Sequence, residues 1–414
     1  MKKVLLSSVA VAALMSSANL MAAEDGLNIF SDIKLKGEIR PRYEVADVKD
    51  NGVEKGQAFT ARTHLAVTAG LLEVQGLSAT VGIQTVNNFG YTNYSPASTN
   101  YDKILDPQAA MLSEASVDYV AGKTAIHAGR SQLNLDNQRF IGTVGWRQLE
   151  RSYDTLAVTN TDVENLELMA AYLYGYAGVG GTTTTETSSV ILHAKYKVMD
   201  ELTITAYDYM IGSSNDTLGI ALTGNATLEG VKLDYRAEYA MQSDPTMEYR
   251  VKDVKADATY YNLDLGTNIS GILAGVNYEF LSGTNGTDGK TNFNPAFGTN
   301  HKFNGWADVF FVGNTGPTGG LKDFNLRLGY TAAGLGKILA MYHDFKSDVA
   351  MTAGSGTSDN LGSEIDVVYT NAIPGVKGLA GLLKFASYSK GDVTSFANAT
   401  KDKQVAWAQL DYKF

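Results

Sequence analysis

"IKLKGEIRPRYEV", residues 33–45, decides the fold. Six of its thirteen positions are charged, and Gly37 and Pro41 are its only loop-type residues. Successive side chains on a β-strand point to opposite faces. One face then carries Ile33, Leu35, Gly37, Ile39, Pro41, Tyr43 and Val45, and the other Lys34, Lys36, Glu38, Arg40, Arg42 and Glu44. The separation is complete. The wet side of a soluble sandwich strand mixes Thr, Ser and Gln with charge, so an all-ionic face points to open water or to a wet cavity.

The pattern recurs along the chain. In "QAFTARTHLAVTAG", Phe59, Ala61, Leu65, Val67 and Ala69 alternate with Thr60, Arg62, His64 and Thr68. In "GVKLDYRAEYAM", Val231, Leu233, Tyr235, Ala237, Tyr239 and Met241 alternate with Lys232, Asp234, Arg236 and Glu238. "SVILHAKYKV", "SGILAGVNYEF" and "AGLLKFASYSK" repeat the scheme. Period two, the strand period, dominates the chain beyond its first residues.

Those first residues, "MKKVLLSSVAVAALMSSANLMAAEDG", place two lysines before an apolar run that ends in small residues, the plan of a secretory leader cleaved after Ala23. We therefore expect a leader over 1–23 and one domain over 24–414. No later stretch approaches the roughly 18 apolar residues of a transmembrane helix. The chain has no Cys, which excludes disulfide stapling and thiol chemistry. Its net charge of -10 argues against nucleic acid as a partner.

Connection length alternates as well. Short turns such as "LLEVQG", "VAGK", "KVMDE" and "GTNIS" take turns with long segments such as "NNFGYTNYSPASTNYDKILDPQAA", "GVGGTTTTETSS", "GTNGTDGKTNFNPAFGTNHKFNG" and "KSDVAMTAGSGTSDNLG". Short and long loops then lie at opposite ends of one sheet, the asymmetry of outer-membrane barrels. Alternation yields about nineteen candidate strands, and a single-chain barrel with both ends on one side needs an even number. The loop rule removes "ADVFFV", 307–312, and leaves an all-β, transmembrane antiparallel barrel of eighteen strands, with sixteen as the alternative.

A closed sheet satisfies every backbone donor and acceptor in lipid. Its apolar faces meet lipid, its ionic faces meet lumen water, and Tyr43, Tyr119, Tyr239 and Phe280 are expected at the two interfaces. Eighteen strands enclose more space than side chains fill, so loops must narrow the channel. Pro41 lacks a ladder donor and is expected at a bulge or near the outer rim. The closing "VAWAQLDYKF" puts Ala406, Ala408, Leu410, Tyr412 and Phe414 on one face. Such an aromatic last strand looks like the signal read by the barrel assembly machinery.

The segment 129–158, "GRSQLNLDNQRFIGTVGWRQLERSYDTLAV", holds Arg130, Arg139, Arg147 and Arg151 with Asp136, Glu150 and Asp154. Permanently charged planar guanidinium groups suit carboxylate or phosphate solutes, and equally suit pinning a folded-in loop to wall acids. Along the wall, Lys34, Lys36, Arg40, Arg42 and Arg62 form a basic strip, and Glu364 and Asp366 in "SEIDVVY" an acidic one. Closure brings first and last strands together, so the strips either pair across the seam or set a transverse field. Catalysis is not expected: His64, His127, His193, His301 and His343 are dispersed, and neither HExxH nor GxSxG occurs. His301 in the longest loop reads as a clamp or metal contact with Asp308, the clamp preferred. No metal or cofactor is expected.

"LNLDNQRFIGTVGWRQ", "NPAFGTNHKFNGWADVFF", "GLKDFNLRLGY", "YHDFKSD", "GSEIDVVY" and the closing "DYKF" resemble blocks of the alginate-export-like family of outer-membrane barrels. The resemblance implies an eighteen-stranded channel whose lumen arginines hold uronate carboxylates, with Arg130, Arg139, Arg147 and Arg151 as the carried-over candidates. The chain is acidic, and short for an exporter with a periplasmic lid. The expected function is therefore a passive outer-membrane porin for small hydrophilic solutes, monomeric or trimeric. Its alternatives are a dedicated channel for anionic sugars or uronate polysaccharide, and an adhesive barrel with a plugged lumen.

Overall fold

Eighteen strands, each antiparallel to its neighbours, close into one barrel. The computed structural model describes residues 29–212, 214–246, 257–284, 291–310, 319–396 and 399–414; the leader over 1–23 lies outside them. In chain order the strands are β1 (Phe30–Val48), β2 (Gly56–Leu71), β3 (Leu77–Asn87), β4 (Ala109–Ala121), β5 (Thr124–Ser131), β6 (Ser152–Asn160), β7 (Leu166–Ala177), β8 (Thr185–Met199) and β9 (Leu202–Ile211). The second half continues with β10 (Asn215–Leu228), β11 (Val231–Ser243), β12 (Ala258–Ile269), β13 (Ile272–Leu281), β14 (Leu321–Ala332), β15 (Gly336–Ala353), β16 (Gly356–Ala372), β17 (Leu379–Lys390) and β18 (Lys403–Lys413). Each strand pairs with the next, and β1 pairs with both β2 and β18, so no edge is left. Of "ADVFFV", the described residues 307–310 form no strand and lie within the 282–320 loop, while 311–312 lie outside the description.

Alternation sorts the faces as expected. Leu156, Leu218, Leu263, Leu328 and Leu383 point outward and are each more than half exposed, a band far larger than a water-facing surface carries. In β1, Ile33, Leu35, Ile39 and Tyr43 are outward, whereas Glu38, Arg40, Arg42 and Glu44 are buried inside. Tyr43, Tyr119 and Tyr239 are exposed on the outer face, and Phe280 stacks on Tyr261 with centroids 4.6 Å apart. Phe414 closes the ring through paired backbone bonds with Gly37, at 2.8 and 3.0 Å.

Pro41 departs from expectation. It sits in mid-strand without a bulge, opposite Ala61 of β2, and the β1–β18 ladder skips from Ile39↔Tyr412 to Arg42↔Gln409. In an antiparallel pair, one residue's donor and acceptor face the same neighbour. The missing proline N–H therefore falls on the closing seam. The bulge of β1 lies instead between Ser31 and Lys34, where Asp32 has φ 47°.

Two expected loops are partly wall. Thr185 to Ser189 of the Thr-rich stretch join β8, and "KSDVAMTAGSGTSDNLG" is a tall hairpin in which only 354–355 separate β15 from β16. The hairpin is tall because the 282–320 loop bonds to it: the N–H groups of Asp348 and Val349 donate to the Gly319 carbonyl at 2.7 and 2.9 Å.

The apolar core lies inside the barrel, at the long-loop end. Phe140 and Ile141 of the 132–151 loop, with Phe293, Phe297, Trp306 and Phe310 of the 282–320 loop, pack against Tyr153, Ile191, Tyr207, Tyr260 and Phe345 of the wall. Each fully buried side chain of this size contributes about 1.5–3 kcal/mol. Long loops folding inward thus occupy the width that eighteen strands leave open.

Candidate functional site

The inward loops are held by ions. Arg139 is fully buried; its Nε lies 2.7 Å from Glu279 of β13, and its Nη atoms donate to Asn300 and Asn304 at 2.9 and 3.0 Å. Arg147 donates to Glu44 at 3.1 Å and to Asp308 at 2.6 Å, joining both loops to β1. Arg151 donates to the Phe297 carbonyl at 2.9 Å and faces the rings of Tyr153, Tyr176 and Phe297. A deeper tie is His193 of β8, whose Nε2 lies 3.0 Å from Asp136. Burial raises the Asp136 carboxyl, but His193, with the charges of Arg236 and Lys195, holds it below the ordinary value.

The wall strip serves the same loops. Arg40 pairs with Glu38 and donates to the Gly145 carbonyl at 2.9 Å. Arg42 donates to the Trp146 carbonyl at 2.5 Å and to Gln409 at 2.9 Å, with its guanidinium 4.2 Å from the Trp146 ring centroid. Arg62 lies 3.2 Å from Glu38 and 2.8 Å from Glu150. Lys34 and Lys36 stand exposed near the short-turn end. Arg130 is on β5 rather than in the loop. It shares the face of its partners Ala115 and Asp154 and of outward Ile126, and it grips Asp154 at 2.6 and 2.7 Å. That is a wall position, not a lumen one.

The acidic strip pairs with backbone, not with the arginines. Glu364 accepts from the Ala307 N–H at 2.7 Å and Asp366 from the Trp306 N–H at 3.2 Å. Gly305, at φ 81°, completes this cradle, because a Cβ there would strike the Glu364 carboxyl. Beside it the protein's three tryptophans gather round Lys384 of β17, whose Nζ lies 3.8 Å from the Trp306 centroid, 4.0 Å from Trp146 and 5.3 Å from Trp407. The ammonium donates to His301 Nε2 at 2.7 Å, and His301 Nδ1 lies 2.8 Å from Asp308. Burial pushes the His301 imidazole down to about 3, so it stays neutral and accepts from the lysine. His301 is thus a clamp, and among the described residues no His, Asp and Glu group is arranged to hold a metal.

Below this plug a cavity of about 230 Å³ remains on the lumen side. Arg236, Lys302 and Arg327 line it with Asp264, Asn137, Asn262, Asn277, Asn325 and Phe303. Arg327 bonds Asp264 at 2.8 and 2.9 Å, and Arg236 lies 2.8 Å from Glu238. Burial, and then the neighbouring Arg236, pull Lys302 below its ordinary value. The Asn325 side-chain oxygen is buried there without a partner. Lys302 and Arg327 were not singled out from sequence; the inward parity of "FNLRLGY" is the signal that finds Arg327. A second hollow of about 410 Å³ opens at the long-loop end, lined by Lys103, Arg147, Lys401 and Lys403 with Asp102 and Asp308. The structure also brings His127 beside Asp118 and Ser131, a grouping that no sequence motif marks.

The chain matches no protein-family model and no curated relative. Solved structures do align over nearly its whole length. OpdK of Pseudomonas aeruginosa with vanillate aligns at a TM-score of 0.70, 14% identical, over 93% of this chain and 99% of that one. OccAB4 of Acinetobacter baumannii aligns at 0.70, 14% identical, over 93% and 98%, and OccK8 (OprE) of Pseudomonas aeruginosa at 0.67, 18% identical, over 93% and 99%. The chain shares their fold. Its barrel matches theirs, OpdK being an outer-membrane protein, and the finer alginate-export-like assignment gains no support from them.

Proposed function

We propose that the protein is a passive diffusion channel of a Gram-negative outer membrane for small hydrophilic solutes, biased toward anions. Residues 1–23 act as its export leader, and the strand ending in Phe414 as its assembly signal. The observation that carries the reading is the cavity framed by Arg236, Lys302 and Arg327 beneath the loop plug. Three cations against two carboxylates, Glu238 on Arg236 and Asp264 on Arg327, leave Lys302 as the surplus positive charge, and with the side-chain amides this favours a solute carrying a negative group and hydroxyl or carbonyl oxygens. A structural neighbour was solved with vanillate, itself a carboxylate. Passage of a uronate polymer is the weaker alternative, because Arg139 and Arg147, central to that resemblance, are consumed by Glu279, Glu44 and Asp308. Planar-bilayer recording tests the proposal. In a salt gradient the reversal potential is expected to favour anions, and Arg236→Gln with Arg327→Gln to move it toward zero. Absence of conductance at any voltage would overturn the channel reading.

A further inference from the structure

Three side chains that the channel reading does not use stand in line on the inner wall. Asp118 of β4 and His127 of β5 are cross-strand partners, on the face opposite outward Val117 and Ile126. His127 Nδ1 lies 2.6 Å from Asp118 Oδ1, and His127 Nε2 lies 3.0 Å from Ser131 Oγ. The Ser116 hydroxyl donates to the other Asp118 oxygen at 3.0 Å, fixing that carboxylate from its far side. Four residues of straight strand would hold His127 and Ser131 about 13 Å apart. Gly129, at φ 128°, interrupts the regular backbone between them and lets the side chains meet. The next residue, Gln132, carries a buried side-chain N–H₂ without a partner.

We propose that Ser131, His127 and Asp118 form an ester-hydrolysing site on the lumen wall. The arrangement meets the geometric definition of a serine nucleophile: hydroxyl to imidazole Nε2, imidazole Nδ1 to carboxylate, whatever the chain order. Ser131 Oγ attacks the ester carbonyl carbon as His127 Nε2 takes its proton. The oxyanion accepts a hydrogen bond from Gln132. Collapse breaks the carbonyl–alkoxy bond, and the alkoxide leaves with the proton from His127. Water then gives a proton to His127 and its hydroxide attacks the acyl-serine, which releases the acid and restores the serine proton. Ester and water become acid and alcohol, with no further reactant. Asp118 acts as a positioning residue that holds the imidazole tautomer.

The substrate class follows from the face. An inward site meets solutes in lumen water, not bilayer phospholipid, so the fit is to a short, water-soluble ester. Opposite His127 and Gly129 the wall carries Ala157 and Thr155, small side chains that are themselves buried, so the acyl group that fits is a short one.

The test uses the purified, folded barrel and a fluorophosphonate probe, with p-nitrophenyl acetate as substrate. Peptide mass mapping is expected to place the label on Ser131. Ser131→Ala and His127→Gln are expected to lose hydrolysis by about 100-fold or more. Conductance and heat-shifted gel mobility should be unchanged in both, which separates loss of chemistry from loss of fold. Asp118→Asn is expected to slow labelling and displace its pH midpoint; a slowed rate at an unmoved midpoint would overturn its positioning role. An unlabelled wild-type protein that conducts normally, or a Ser131→Ala variant that hydrolyses at the wild-type rate, would overturn the site and leave the channel reading intact.

Discussion

Arg139→Met is the substitution on which the account of the plug depends. The guanidinium is fully buried and makes bonds of 2.7 and 3.1 Å to Glu279, besides those to Asn300 and Asn304. Methionine keeps much of the volume and leaves Glu279 buried without its cation. Removing one partner of such a pair costs about 3–5 kcal/mol. Glu279 keeps donors from Asn304 at 2.6 Å and Tyr260 at 2.9 Å, so the lower end applies, about 3 kcal/mol. Every 1.4 kcal/mol is tenfold, so the unfolding equilibrium moves by roughly two orders of magnitude. Urea unfolding of the barrel in lipid vesicles measures this, and single-channel recording should show noisier, larger currents as the 132–151 loop loosens. Adding Glu279→Met should recover most of the loss, since a buried pair replaced by apolar groups is often neutral. Were Arg139→Met to cost under about 1 kcal/mol while the reversal potential swung toward cations, the arginine would be acting on passing ions and the anchoring argument would fail.

Three other outcomes follow from the geometry. Pro41→Ala restores a donor to the β1–β18 ladder and should raise the unfolding free energy measured in urea by about 0.5–1.5 kcal/mol, with unchanged conductance. Lys384→Met empties the tryptophan box of its cation; a desolvated contact of this kind contributes about 2 kcal/mol, and because all three tryptophans surround it, the intrinsic emission spectrum should shift. His301 is held near 3 when folded and titrates near 6.5 when unfolded, so the unfolded chain binds the extra proton between those values. Stability should therefore fall as pH drops from about 6.5 toward 3, and His301→Gln should flatten that slope in acid-unfolding curves.

The wall was legible because lipid and lumen water make opposite demands on alternate residues, and β1 records both on one strand. The loop-length rule discarded "ADVFFV" for a physical reason, since an odd strand would put the two chain ends at opposite rims and break the alternation of short and long loops. That loops fold inward was legible from the strand number, but the residues that fill the lumen were not. Phe140, Phe293 and Trp306 sit in segments without periodicity, and only the closed wall shows that they have an interior to fill. The arginines of 139–151 were visible as charge, but Glu279 lies 140 residues from Arg139 and Glu44 lies 103 from Arg147, beyond any local pattern. Arg130 was assigned to the loop because β5 is short and runs straight into it. His127 was dismissed for want of a motif, although its partners, Asp118 and Ser131, come from the paired strand and from beyond the break at Gly129.

The proline at the seam has a consequence for engineering. Where β1 and β18 lack ladder bonds, the 132–151 loop grips both: Arg40 reaches the Gly145 carbonyl and lies 3.8 Å from Asp411, Arg42 reaches the Trp146 carbonyl and Gln409, and the Trp146 ring meets Trp407 edge-on at 5.6 Å. The loop is therefore a rivet as well as a constriction, set across a joint whose stitching is incomplete. Trimming 140–150 to widen the pore would at the same time unfasten the cylinder, and a wider channel would need Pro41 replaced first.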